Sequence, residues 1–403
     1  MAHSTCARVH ISWNKDEEWS IRTFGRGGYS EIMKFDNNTQ AFFALLEAGL
    51  WEKDVRLSAF NKIDFREVDR LAEEQSVVGL VAAGLEHVND VKVSKEDVLQ
   101  FAGQVLQLEQ RNKVMNSFIS SLIEKLRGAG VYSLLLKGQG IGQCYERPLW
   151  RAAGDIDLFL SEGNYINAKD ILTPLASSVE DENNYTQHLG MTINSIVVEL
   201  HGNLRSELYP RIDKELDKVK DEVFYGGNVR SWKNGNTQVF LPGINCDVVY
   251  VFTHILQHFF KGGIGLRQIC DWCRLLWTYK DEVDMKQLES RLNNMGLMSE
   301  WETFGSFAVN TLGMPADAMP FYSDTKSCKW KEKRLIKYIL KTGNFGHNRD
   351  NSFFKSKSII RRKWMVFWRI TSDTAKQFII FPFDSLKVWW CMMKGGILTL
   401  VGK

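Results

Sequence analysis

What this chain lacks narrows the field first. No run of apolar residues reaches the roughly 20 that a membrane-spanning helix needs, so no spanning segment is expected. The opening residues, Met1 to Cys6, have no basic stretch followed by an apolar core, which predicts no signal peptide. Seven cysteines in 403 residues, an odd number without the dense spacing of a disulfide framework, predict reduced thiols in a cytoplasmic protein. A dominant charge is also missing. The 51 Lys and Arg against 48 Asp and Glu leave +3, which carries no strong nucleic-acid signal. No internal repeat is evident. What is present, 44% hydrophobic and 25% charged residues, is the composition of a soluble globular chain long enough for two or three domains.

The chain divides by pattern. Within residues 1–32, Arg8 to Trp13 reads as a short strand. Gly25-Arg26-Gly27-Gly28 reads as a loop in preference to a phosphate-binding turn, because no strand–loop–helix context surrounds it. Residues 33–129 are helical, opening with Phe42, Phe43, Leu45 and Leu46. Apolar spacing through Val105, Leu106, Leu108, Val114, Met115, Phe118, Ile119, Leu122 and Ile123 predicts a long helix from Lys95 to Arg127. Gly128-Ala129-Gly130 closes it. Residues 130–242 read as an α/β core, and Leu241-Pro242-Gly243 marks its end. Residues 243–350 are predicted to be helical, over Asp247 to Phe260, Gly265 to Tyr279, Met285 to Met295 and Trp301 to Leu312. Residues 351–403 form a basic, aromatic segment, with ten Lys or Arg against two Asp between Phe354 and Lys403. The fold class expected is α+β: a small mixed sheet flanked by N-terminal and C-terminal helical regions.

The stretch from Leu134 to Leu160 organises this plan. Val131 to Leu136 is an apolar strand that stops at Lys137-Gly138, where glycine lets the backbone approach a ligand. A short helix over about 140–146 and an Arg-containing loop lead to a second strand, Asp155 to Leu160. Side chains alternate along a strand, so Asp155 and Asp157 share one face, roughly 6.5 Å apart at their Cα atoms. Tyr185 to Thr192 and Ile196 to His201 read as paired strands, with Glu199 and His201 on one face. Glu199 can therefore join the two aspartates. Three carboxylates so placed suit hard divalent cations, in pairs about 3.5–4 Å apart in two-metal phosphoryl chemistry.

These residues resemble the nucleotidyltransferase superfamily that includes DNA polymerase β. They look more closely like a bacterial family usually called uncharacterised nucleotidyltransferases. The resemblance rests on Leu136-Lys137-Gly138, Tyr145 with Pro148, Arg151, Gly154-Asp155-Ile156-Asp157-Leu158, Val198-Glu199-Leu200-His201 and the helix around His254 to Trp272. It implies transfer of a nucleoside monophosphate from a nucleoside triphosphate to an acceptor, releasing pyrophosphate, with Mg²⁺ or Mn²⁺ held by Asp155, Asp157 and Glu199. The third acid would act as metal ligand or base toward the acceptor hydroxyl. Lys137, Gly138 and Arg151 would meet the nucleotide. Gln139 departs from the broad superfamily pattern, where Gly or Ser follows the glycine, and the 17-residue step from Gly138 to Asp155 is longer than usual there.

The remaining candidates keep two readings each. Lys137 could be an ordinary strand-end lysine, and Arg147 or Arg151 a surface ion pair. His188 and His201 could touch substrate, orient the acids or be structural. His254 and His258, at i and i+4, fit packing or a contact near the site better than zinc, because Ile255 stands where HExxH has its glutamate. Cys270-Asp271-Trp272-Cys273 fits core thiols, since no second cysteine pair accompanies it. For the whole chain, the alternatives to catalysis are a nucleotide-binding regulator and a scaffold at a membrane surface. The latter would use the basic and tryptophan-rich residues 355–403. The acceptor, whether small molecule, sugar or protein, has no readable code.

Overall fold

Local capping starts the N-terminal helices where the sequence places them. In the computed structural model, which describes residues 35–346, 348 and 359–401, Asp36 caps α1 (Asn37–Trp51) and Asp64 caps α2 (Phe65–Glu74). After α3 (Val78–Glu86), Ser94 caps α4 (Lys95–Gly128). Each capping side chain accepts from a backbone N–H of the first turn, which would otherwise lack a partner. The strand expected at Arg8 to Trp13 and the loop expected at Gly25 to Gly28 lie outside the described residues.

α4 delivers the chain into β1 (Leu134–Leu136), followed by α5 (Gly138–Gly142), β2 (Asp155–Phe159), α6 (Glu162–Leu172) and the short β3 (Ser178–Val179). β4 (His188–Ile193) and β5 (Ile196–His201) pair as a hairpin, as their spacing predicts. Beyond them stand α7 (Pro210–Tyr225) and a second hairpin, β6 (Val229–Asn234) and β7 (Thr237–Pro242), none of which is evident from pattern alone. The seven strands make one mixed sheet in the order β3-β4-β5-β2-β1-β7-β6. β7 adds parallel to β1, so the chain re-enters the sheet just before the break at Gly243. Helices α8 (Ile244–Lys261), α9 (Leu266–Thr278), α10 (Met285–Met295), α11 (Met298–Asn310) and α12 (Lys326–Thr342) follow. The basic segment forms a helical hairpin, α13 (Ile359–Phe378) and α14 (Pro382–Val401). None of the described helices is long and apolar enough to cross a membrane.

The two sheet faces have different fates. Leu135, Ile156, Leu158, Val198 and Leu200 pack against Ile119, Leu122 and Leu126 of α4 and Ala168 and Leu172 of α6. Leu134, Leu136 and Phe159, from the other face, join a larger core that runs through α1–α3 and α7–α12. The flanking helical regions thus share one continuous apolar cluster. On α4 one apolar stripe is buried, while Leu106 and Val114 stand exposed. Truncating a fully buried leucine such as Leu158 or Leu200 to alanine would cost about 2–5 kcal/mol.

Candidate active site

Strand register brings the three acids together. β2 and β5 run parallel with Asp157 opposite Glu199, and Asp155 opposite Val197. Paired positions project from the same face, so Asp155, Asp157 and Glu199 stand on the face away from α4 and α6. One oxygen from each carboxylate lies within 4.8 Å of the others. His188 pairs with His201 across β4 and β5, on that same face. His201 Nε2 lies 2.9 Å from Asp157 Oδ1 and 3.5 Å from Glu199 Oε2, and His188 Nε2 lies 3.0 Å from Glu199 Oε2.

Lys137 completes the cluster from the end of β1. Its Nζ lies 3.1 Å from Asp157 Oδ1 and 3.3 Å from His254 Nε2 on α8. The Lys137 backbone sits at φ 47°, ψ −138°, a conformation that glycine adopts readily and other residues at a strain of about 1–3 kcal/mol. Gly138 follows at φ +43°. A Cβ there would come no closer than 3.7 Å to the Asp155 carbonyl oxygen, so backbone angle rather than space favours glycine.

Ionisation reflects the crowding. The charge of Asp157, reinforced by burial, raises the Asp155 carboxyl above its ordinary value. Burial would raise Glu199 as well, but hydrogen bonds with His188 and His201 hold it well below the usual carboxylate range. For His201, burial opposes the charged form, and the contacts with Asp157 and Glu199 outweigh it and raise the pKa. Burial likewise opposes the Lys137 ammonium, and Asp157 foremost keeps it charged. Three hard oxygen donors whose mutual repulsion is already felt by Asp155 fit a divalent ion such as Mg²⁺ or Mn²⁺.

The cluster opens into a cavity of about 350 Å³ walled by Lys137, His188, Glu199, His201, His254 and Lys261, among others. His254 and His258 therefore belong to the site's far wall, with their Nε2 atoms 2.9 Å apart. Their helical spacing was visible in sequence, but their position opposite the strands was not. A larger groove, about 640 Å³, runs between α4 and the β4–β5 turn. Arg111 is its one titratable lining residue, whereas the smaller cavity carries the acid–histidine cluster.

The structure turns Arg151 away from the nucleotide contact expected of it. Its side chain is 4% exposed, and its Nε and Nη2 each donate to a carboxylate oxygen of Asp271, both at 2.7 Å. Tyr145 Oη donates to the same carboxylate at 2.8 Å. A guanidinium sealed in a bidentate pair has its best face occupied, and here it ties α9 to the loop before β2. Arg147 pairs with Glu52 and Glu86 instead. Gln139 is also explained. It is buried and donates to Asn112 Oδ1 at 3.1 Å, while Asn112 donates to the carbonyls of Leu149 and Arg151. The amide therefore braces the loop against α4. Cys270 and Cys273 are fully buried thiols, as expected.

Arg267 was not singled out from sequence. It donates to the Ala152 carbonyl and lies near enough to Asp155 to favour that carboxylate's charged form. Asp271 was equally hidden, because its role depends on Arg151, 120 residues away.

With this geometry in place, comparison with known proteins adds one finding. The model of a family described as uncharacterised nucleotidyltransferase matches residues 61–310, which contain the whole sheet, α7 to α11 and every residue of the acid–histidine cluster. No curated protein and no solved structure matches the chain.

Proposed function

The chain belongs to the uncharacterised nucleotidyltransferase family, and from that premise we propose that it transfers a nucleoside monophosphate from a nucleoside triphosphate to an acceptor, in a metal-dependent reaction. The observation that carries this reading is the convergence of Asp155, Asp157 and Glu199 beside the Lys137 ammonium. The acceptor oxygen forms a bond to the α-phosphorus as the bond to pyrophosphate breaks. Such transfer asks a protein to position reactants and neutralise charge rather than supply covalent chemistry. A bound Mg²⁺ or Mn²⁺ supplies Lewis acidity at the phosphates.

The chain's own residues divide the remaining work. Asp155, Asp157 and Glu199 supply the ion's oxygen ligands. Lys137 presents a fixed positive charge at the cavity wall for triphosphate oxygens, and Gly138 gives the backbone turn that puts it there. His201 orients Asp157 and Glu199 together. A carboxylate held as far down as Glu199 is a weak proton acceptor, which favours its role as ligand over that of general base.

The test is Mg²⁺-dependent pyrophosphate release from ATP, GTP, CTP and UTP in cell extract, with mass spectrometry to find the species that gains a nucleotide. Release that survives unchanged in both D155N and D157N removes the assignment. Nucleotide binding without release under any acceptor mixture would instead make the chain a nucleotide-binding regulator of the same fold.

A second reading concerns partners. Trp364 and Trp368 on α13 and Phe383 and Trp390 on α14 are each more than half exposed, among Lys363, Lys376 and Lys387. Aromatics that remain uncovered beside basic residues suit an anionic membrane surface, which would bring the site to a lipid-linked acceptor. Sedimentation with phosphatidylserine vesicles decides it. Equal binding by the wild type and a W364S/W368S/W390S variant would remove the membrane role.

A further inference from the structure

Four of the chain's eight histidines wall the same cavity. Two of them, His188 and His201, bracket a single oxygen, Glu199 Oε2, at 3.0 and 3.5 Å through their Nε2 atoms. Two donors about 2.1 Å from a shared ion stand roughly 3.0 Å apart at a right angle and roughly 3.4 Å apart at the tetrahedral angle. The separations around Glu199 Oε2 therefore have the edge lengths of a metal polyhedron, and all three donors lie within 4.8 Å of one another. Asp157 Oδ1, 2.9 Å from His201 Nε2, is a further oxygen at the same spacing.

Strand pairing makes this arrangement rigid. His188 faces His201 directly across the antiparallel hairpin, and Glu199 precedes His201 by two residues on the same face. The hairpin alone thus sets all three donors, independent of any loop. The side chains of His188 and Glu199 are 30% and 26% exposed toward the cavity, so an ion from solvent can reach them.

We propose that His188, Glu199 and His201 bind a second divalent ion, beside the one assigned to the three carboxylates, with Glu199 shared between the two sites. Two imidazole nitrogens and one carboxylate select borderline first-row ions such as Co²⁺ and Zn²⁺ over Mg²⁺, and the absence of thiolate disfavours soft ions. The hard site takes the ion that meets the triphosphate, and the mixed site fixes Glu199. Ion uptake here does not require nucleotide transfer, so either proposal can fail without the other.

The experiment uses the full chain, stripped with chelator and titrated with Co²⁺ in the absence of nucleotide. Visible ligand-field bands report occupancy, and X-ray absorption at the cobalt edge counts histidine nitrogens. The expected result is a bound Co²⁺ with two imidazole nitrogens, affinity lowered about 10-fold or more by H188N, and the same two nitrogens counted in D155N. Cobalt bound without imidazole nitrogens overturns the proposal, as does Co²⁺ affinity lost in D155N but kept in H188N, or no Co²⁺ binding at all. The nitrogen count on the wild type holds even if a variant fails to fold.

Discussion

The stretch from Leu134 to Leu160 builds two ionic clusters that share a motif and little else. In one, Arg151, Asp271 and Tyr145 are sealed, and the guanidinium and carboxylate satisfy each other in a bidentate pair. In the other, Asp155, Asp157 and Glu199 converge at the edge of a cavity that Glu199 lines, with Lys137 as counterion and His188 and His201 in hydrogen-bond reach. The sealed cluster closes on itself and serves the fold. The open cluster keeps three acids close enough that Asp155 resists ionisation, and the charges of Lys137 and Arg267 offset that only in part. Charge alone does not mark a site; charge left open to a ligand does.

The sharpest way to break this comparison is D157N. It should lower nucleotide turnover by about 10³-fold or more, with unchanged circular dichroism, because it removes a central ligand and leaves the core intact. The sealed cluster should answer in stability instead. R151M leaves Asp271 buried without its partner, at about 3–5 kcal/mol, measured by urea denaturation. An R151M protein with full stability and weakened nucleotide affinity would reverse the roles assigned to the two clusters.

The far wall gives a pH signature. Burial lowers His258 to about 4 and His254 well below its ordinary value, each reinforced by the charge of Lys137. The fold therefore prefers both neutral. Their contribution to stability is complete above the unfolded value near 6.5 and declines as pH falls toward about 4. Replacing His258 with Asn should flatten the loss of melting temperature across that window, and an unaltered slope would remove His258 from the account. The smallest effect is expected from D155N. Because Asp155 is raised, ionising it in the fold is unfavourable, and the penalty grows as pH rises past the ordinary aspartate value. At neutral pH and without divalent ions, D155N should raise Tm by about 2 °C, by calorimetry.

Much of the open cluster was legible because strands obey a period of two. Asp155, Asp157, Glu199 and His201 could be put on strand faces from alternation, and the observed register puts all four on one face, with His188 paired to His201. The sealed cluster was not legible, since Asp271 sits on α9 and no local pattern couples it to Arg151. Gln139 read only as a departure from the superfamily pattern for the same reason; its partner Asn112 belongs to α4. α7, which packs on α8 and α10, and the β6–β7 hairpin, which extends the sheet beyond β1, carry mixed polar and apolar residues that gain their meaning only from those neighbours. Strand alternation is local information, whereas ion pairs across the fold are not.

The contacts that join α1 to the helices after the sheet have a consequence for biosynthesis. The Trp51 indole donates to the Leu312 carbonyl, 261 residues ahead, and Arg274 donates to the Leu50 carbonyl from α9. β1 likewise waits for β7. A ribosome that has released all three acids has still not released the helix bearing His254, nor the partner that locks α1. Such long-range closure is slow and late. The cavity wall that His254, His258 and Lys261 supply can therefore close over the three acids only after α8 has been made.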